Sequence, residues 1–438
     1  MKNYRFLVPV VLGILLALSW YKLISKSSGV ETEYNKYVET ARGYAENGIT
    51  KYAMENYAEA LKIKSTPEIY NEIVEYFNKQ NDASNALKWS RLFFEEYPQD
   101  ARAYTCLLTS YVDGQDYQSC YDIIEVADKR GVSSDYIEKV KDEIKFKYTM
   151  DFFTYDEVGV FGNNFCAVKT SDGYWGYVNR FGEVRIKMKF KEAGTFTSSS
   201  LAPVIDKKNE LYFIDKSGEK VLAPSAKYVS FGPMVDNMTF GLREDGKYDY
   251  VNNKFEVIVE NCDDVTTFNY GYAAIKQGDT WSIINLAGEV VSPEKYADVV
   301  YDEKRIMYRN ERLFVKKTNG KYVMLDKEFN QVGKQEFDDA KVFAASEPTC
   351  VKVGDKWRYI NKDGEFISDK EYENARPYSN GLAAVCFNEL WGFMDQGESV
   401  VIEPQYRDAK DFNEKGSCFV MVGKKWQMLK IYRLNREG

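Results

Sequence analysis

A short phrase returns eight times in the last two thirds of this 438-residue chain. Its clearest copies are AVKTSDGYWGYVNRFGEV from Ala167, CVKVGDKWRYINKDGEF from Cys350 and AVCFNELWGFMDQGESV from Ala384. The anchors of successive copies are Trp175, Leu211, Tyr248, Trp281, Tyr322, Trp357, Trp391 and Trp426, spaced by 36, 37, 33, 41, 35, 34 and 35 residues. A unit this short cannot bury both faces of its own sheet, so the units must stack. One undivided globular core is therefore excluded for this part of the chain.

Each copy reads as up to four short strands. In the copy from Phe190 they are roughly EAGTF, LAPVID, LYFID and KVLAP. The turn after the anchor strand runs from Asn or Asp, through two residues, to Gly: Asn179 to Gly182, Asp215 to Gly218, Asn285 to Gly288 and Asn361 to Gly364. The Asx side chain can bond its own backbone there, and Gly supplies the left-handed position. A Gly directly after the anchor, as at Gly176 and Gly392, lets another backbone approach closely. A prelude precedes the later copies, as in Tyr296–Tyr301, Phe337–Phe343, Tyr372–Tyr378 and Tyr406–Phe412. These residues resemble the bacterial WG-repeat family, over essentially all of 155–432. Radial stacking of seven or eight units gives a β-propeller-like array; linear stacking gives an open β-solenoid. The radial form is the one expected, closed by a strand at Tyr148–Phe153.

Residues 31–150 have a different texture, with apolar spacings of three and four. Tyr44, Phe77 and Tyr111 recur at intervals of 33 and 34 residues; so do Ala53, Ala86 and Cys120, and Ala41, Val74 and Leu108. Pro67 and Pro98 fall where units end. Three registers in phase indicate pairs of antiparallel helices, with 142–148 as a capping helix. The pattern resembles the tetratricopeptide (TPR) family as three units. That resemblance implies a partner-binding groove on the first helices, at Arg42, Asn71, Glu75, Asn78, Lys79, Thr109 and Asp113. Their competing reading is a solvated polar face.

The stretch Phe6–Tyr21 carries no charge and is bounded by Arg5 and Lys22. Its length as a helix is about 24 Å, short of a bilayer core of about 30 Å, but snorkelling of Lys22 extends the span through Leu23 and Ile24. We read residues 6–24 as a single-pass anchor in a bacterial cell membrane, with the bulk of the chain extracytoplasmic. The alternative is secretion after signal-peptide cleavage.

Composition narrows the chemistry. The chain has no histidine, which removes imidazole acid–base catalysis, His-based triads and His metal sites. Its net charge of −8 argues against a nucleic-acid surface. The seven cysteines form no CxxC pair and read as small buried apolar residues, with Cys106–Cys120 as a conceivable disulfide. No phosphate loop, GxSxG elbow or EF-hand loop is present, so we expect no catalytic residues, no cofactor and no metal.

The expected fold is thus an α+β multidomain chain: an anchor at 1–29, TPR-like helices at 31–150 and WG-type β repeats at 151–438. The expected function is a membrane-tethered, non-enzymatic scaffold for protein partners. The alternative is an envelope glycan binder, or a glycoside hydrolase working with carboxylates alone.

Overall fold

The structure, a computed structural model, describes residues 29–224, 227–344 and 347–433. The chain divides into two compact units, with the boundary after Lys145.

Among the described residues the first unit has seven helices: α1 (residues 29–46), α2 (Thr50–Ile63), α3 (Pro67–Lys79), α4 (Ala83–Glu96), α5 (Ala101–Asp113), α6 (Tyr117–Arg130) and α7 (Asp135–Glu143). The starts are set by side chains that satisfy otherwise unpaired amides. Asp82 accepts from Asn85 N at 3.1 Å, Asp100 from Arg102 N at 2.9 Å, Asp116 from Ser119 N at 3.2 Å and Ser134 from Ile137 N at 3.3 Å. Pro67 opens α3, where no amide is required. Gly131 ends α6 in the left-handed conformation. The recurring small residues are the contact points: Ala41, Ala53, Ala86, Leu108 and Cys120 are fully buried and Val74 nearly so. The capping helix expected at 142–148 lies earlier, as α7. Ser134 starts it, and the chain is already extended at Tyr148.

The second unit contains eight small antiparallel sheets, one for each copy of the phrase. In chain order their strands lie within Glu157–Phe190, Glu192–Leu222, Tyr228–Cys262, Asp264–Asn285, Asp298–Leu325, Asp339–Ile360, Asn374–Tyr406 and Ser417–Ile431. The last sheet takes its third strand, Tyr148–Tyr155, from the start of the unit; Tyr148 pairs with Ile431. Apolar clusters lie between consecutive sheets. One joins Trp391, Phe393 and Ile402 of the seventh sheet to Cys418, Val420 and Leu429 of the eighth. The anchors Trp281, Tyr322, Trp357, Trp391 and Trp426 are all buried. Burying a side chain of this size contributes roughly 2–3 kcal/mol, which a single meander could not collect.

Two expectations about the fold are corrected. The β-propeller-like closure is replaced by the plainer arrangement of helices followed by small separate sheets. Apart from an isolated bridge between Thr267 and Ile306, strand pairing stays within each sheet, and no closed barrel or propeller is found among the described residues. The expected transmembrane helix and single-pass membrane location find no support: among the described residues no helix is long and apolar enough to cross a membrane. The anchor segment 6–24 itself lies outside the described residues.

Candidate functional site

The groove residues lie on the three first helices. Arg42 on α1 reaches Glu72 on α3 through Nε at 3.0 Å and Nη2 at 2.5 Å, and Glu39 at 2.9 Å. Asn71 donates to Glu75 at 2.6 Å and accepts from the Cys106 thiol of α5 at 3.5 Å. Thr109 donates to Thr105 O and shares a hydrogen bond with Tyr136 Oη. Asn78, Lys79 and Asp113 stand exposed near the C-terminal ends of α3 and α5. The structure thus brings Arg42, Asn71, Glu75 and Thr109 into bonds between and along helices, and leaves the other three toward water. All seven cysteines are free and buried, so Cys106 and Cys120 form no disulfide.

In the β unit, the turn chemistry explains the recurring motif. Asn179 Oδ1 accepts from the amides of Phe181 and Glu183 at 2.9 and 3.0 Å, and Gly182 has φ +87°. The Gly after the anchor faces an irregularity in the next strand, where Trp391 pairs with Tyr406 but Phe393 with Ile402. A Cβ on Gly392 would lie 2.5 Å from Ile402 O, and one on Gly176 would lie 2.5 Å from Ile186 O. At the same position the third sheet carries Asp249, fully buried, which accepts from Asn261 N, Tyr228 Oη and Lys227 Nζ at 3.1, 3.1 and 2.7 Å.

A second irregularity has a different result. Between Met150, opposite Leu429, and Thr154, opposite Gln427, three residues face one. Phe152 and Phe153 are thrust into solvent there, 96% and 63% exposed.

The same unit encloses a cavity of about 580 Å³. Its charged lining follows from one repeat position, marked by an amide that bonds across to the second strand of its sheet. Gly159, Gly194, Gly232, Thr266, Val300, Lys341, Arg376 and Lys410 occupy it in the eight repeats. Basic side chains therefore appear only in the last three repeats, consecutively. Lys341, Arg376 and Lys410 each lie over the anchor of their own repeat, at 4.5 Å from Trp357, 5.6 Å from Trp391 and 5.4 Å from Trp426. Two of the acidic groups come from the extra residues of the fifth repeat. Glu303 accepts from Arg376 at 3.2 Å and from Lys410 at 2.7 Å; Asp302 accepts from Arg309 at 2.9 Å. Lys341 donates only to neutral acceptors, Asn374 Oδ1 at 3.1 Å and Ala375 O at 2.6 Å.

Two buried atoms of the lining residues, Arg376 Nε and Asp411 Oδ1, have no hydrogen-bond partner among the described residues. Burial raises the Asp411 carboxyl above its ordinary range, against the pull of Arg376 and Lys341. Burial also lowers the ammonium groups of Lys304 and Lys341. It pushes Glu303 up too, but Lys410 and Arg376 outweigh it and hold that carboxyl below its usual value. These converging charges were not expected from the sequence. The prelude sequences contained the signal: Lys341, Arg376 and Lys410 break a position that is Gly, Thr or Val elsewhere, and the 41-residue spacing marks the inserted loop.

Four stretches of the chain, residues 175–212, 250–281, 357–391 and 391–426, match the family described as WG containing repeat. No curated protein matches the chain. BamB from Moraxella catarrhalis superposes with a TM-score of 0.44 at 9% identity, over 65% of this chain and 100% of that one. The Sgt2 TPR domain from Aspergillus fumigatus superposes with a TM-score of 0.22 at 19% identity, over 26% of this chain and 80% of that one. Neither superposition reaches the agreement of a shared fold. A bacterial source finds no support in them.

Proposed function

We propose that the chain is a non-enzymatic, repeat-based scaffold for protein partners. The observation that carries this reading is the pair Phe152 and Phe153, adjacent aromatics held in solvent by an irregular strand whose flanks are paired. Aromatic side chains so exposed cost solubility, and they are the type that anchors protein interfaces. The match to WG-type repeats supports a stacked architecture that presents surfaces. The test is affinity capture by the full chain from its native source, against Phe152→Ser/Phe153→Ser. Partners held by the original chain and lost by the variant support the reading; an unchanged set of captured proteins removes it.

A second reading, a glycan binder or carboxylate-based glycoside hydrolase, draws on the cavity. Asp302, Glu303 and Asp411 share it with Phe161, Tyr301 and Phe343. Environments push Asp411 and Glu303 in opposite directions, as an acid and a base require. Polysaccharide turnover abolished by Asp411→Asn would establish it.

A further inference from the structure

We infer that the cavity of the β unit binds a small organic anion, held by Lys304, Lys341 and Arg376 and facing Asp411. This does not depend on the scaffold reading. Four observations converge. The position of Lys341, Arg376 and Lys410 in the repeat is basic only in three consecutive copies, so these side chains are not demanded by the scaffold. Lys410 is neutralised by Glu303, and Arg309 by Asp302. Lys304 and Lys341, by contrast, have no carboxylate within salt-bridge distance among the described residues, although burial disfavours their charge. Finally, Arg376 Nε and Asp411 Oδ1 are both buried and unpartnered among the described residues.

A buried N–H donor and a buried carboxyl left unbonded each carry a desolvation cost. An anionic ligand in the cavity meets the ammonium groups of Lys304 and Lys341, beside Arg376 and Asp411. The same negative charge offsets the two lysines. The volume of about 580 Å³ suits a compact metabolite-sized body, and Phe161, Phe343 and Phe412 supply apolar wall. Carboxylate and phosphate share this chemistry.

The experiment is calorimetric titration of the full chain with glucuronate, glucose 6-phosphate and neutral glucose at matched ionic strength. Binding by glucuronate alone identifies a carboxylate, and binding by glucose 6-phosphate alone a phosphate; glucose does not bind. Lys304→Met and Lys341→Met each weaken the anion about tenfold, the scale of one charged hydrogen bond. If Lys341→Met fails to fold, Lys304→Met on the inserted loop carries the test. Asp411 faces Arg376 and Lys341, which favour its ionised form, and Glu303 and Asp302, which oppose it. Binding by the original chain therefore weakens as rising pH ionises Asp411 and discharges Lys304 and Lys341, and Asp411→Asn reduces that dependence. Equal binding of glucose, no binding of either anion, or undiminished binding by the folded lysine variants overturns the inference.

Discussion

Glu303 Oε1 accepts from Arg376 Nη1 at 3.2 Å across 73 residues of sequence, joining an inserted loop of the fifth repeat to the seventh. The same carboxylate holds Lys410 of the eighth repeat. One side chain therefore links three repeats through the cavity. It also accounts for the longest spacing in the array, since the loop that carries it is what the other repeats lack.

Replacing Glu303 with Gln leaves Arg376 and Lys410 without this acid. Glu303 keeps 41% of its side-chain exposure, so solvent screens part of the loss. We expect a destabilisation of the β unit of about 1–2 kcal/mol, read as a lowered melting transition by calorimetry. Glu303 is held below its ordinary value, so its contribution is present above about pH 4.5 and is lost as pH falls through the folded value.

Gly392→Ala places a methyl group against the backbone at Ile402 and Pro404. Backbone cannot yield as a side-chain tip does, so we expect a loss of about 1–3 kcal/mol, with Gly176→Ala behaving alike. Chemical denaturation of each variant measures this. A control at Gly246, where no atom lies within 4 Å, exposes the separate cost of a positive φ.

Asp249 shows how the motif tolerates the loss of that Gly. Burial pushes its carboxyl up, but Lys227 and the Asn261 amide outweigh it and leave it below 3.8. Its stabilising effect is therefore complete above that value and disappears as pH falls through the folded one. Asp249→Ala strands several donors, and we expect about 2–4 kcal/mol of destabilisation at pH 7 and less once the pH has fallen through the folded value. Paired unfolding curves above and below that value check it.

All seven cysteines are buried, and burial pushes the thiols of Cys106 and Cys120 up to about 12. A thiol reagent should find almost no reactive group in the folded chain and seven after denaturation. A count of five after denaturation without reductant would restore a disulfide.

Much of the repeat plan was legible because it is governed by local rules. The phase of Ala53, Ala86 and Cys120 marked helix contacts, and the Asx-to-Gly spacing marked turns, since each depends on a few neighbouring residues. The eight anchors foretold eight sheets. The cavity was not legible in the same way. Lys341, Arg376 and Lys410 sit inside repeated phrases, and their convergence with Glu303 depends on how repeats stack. The bonding of the groove residues was not legible either: Arg42 and Thr109 are polar on a first helix, and Glu72 and Tyr136 engage them. Phe152 and Phe153 read as part of the closing strand, and only the offset between Met150 and Thr154 turns them outward.

Hydrogen exchange on the full chain, with and without the partner it captures, tests the scaffold reading most directly. Protection gained over residues 148–155 on binding is the expected result. Protection confined to other segments, with Phe152 and Phe153 exchanging as in the free chain, would contradict it.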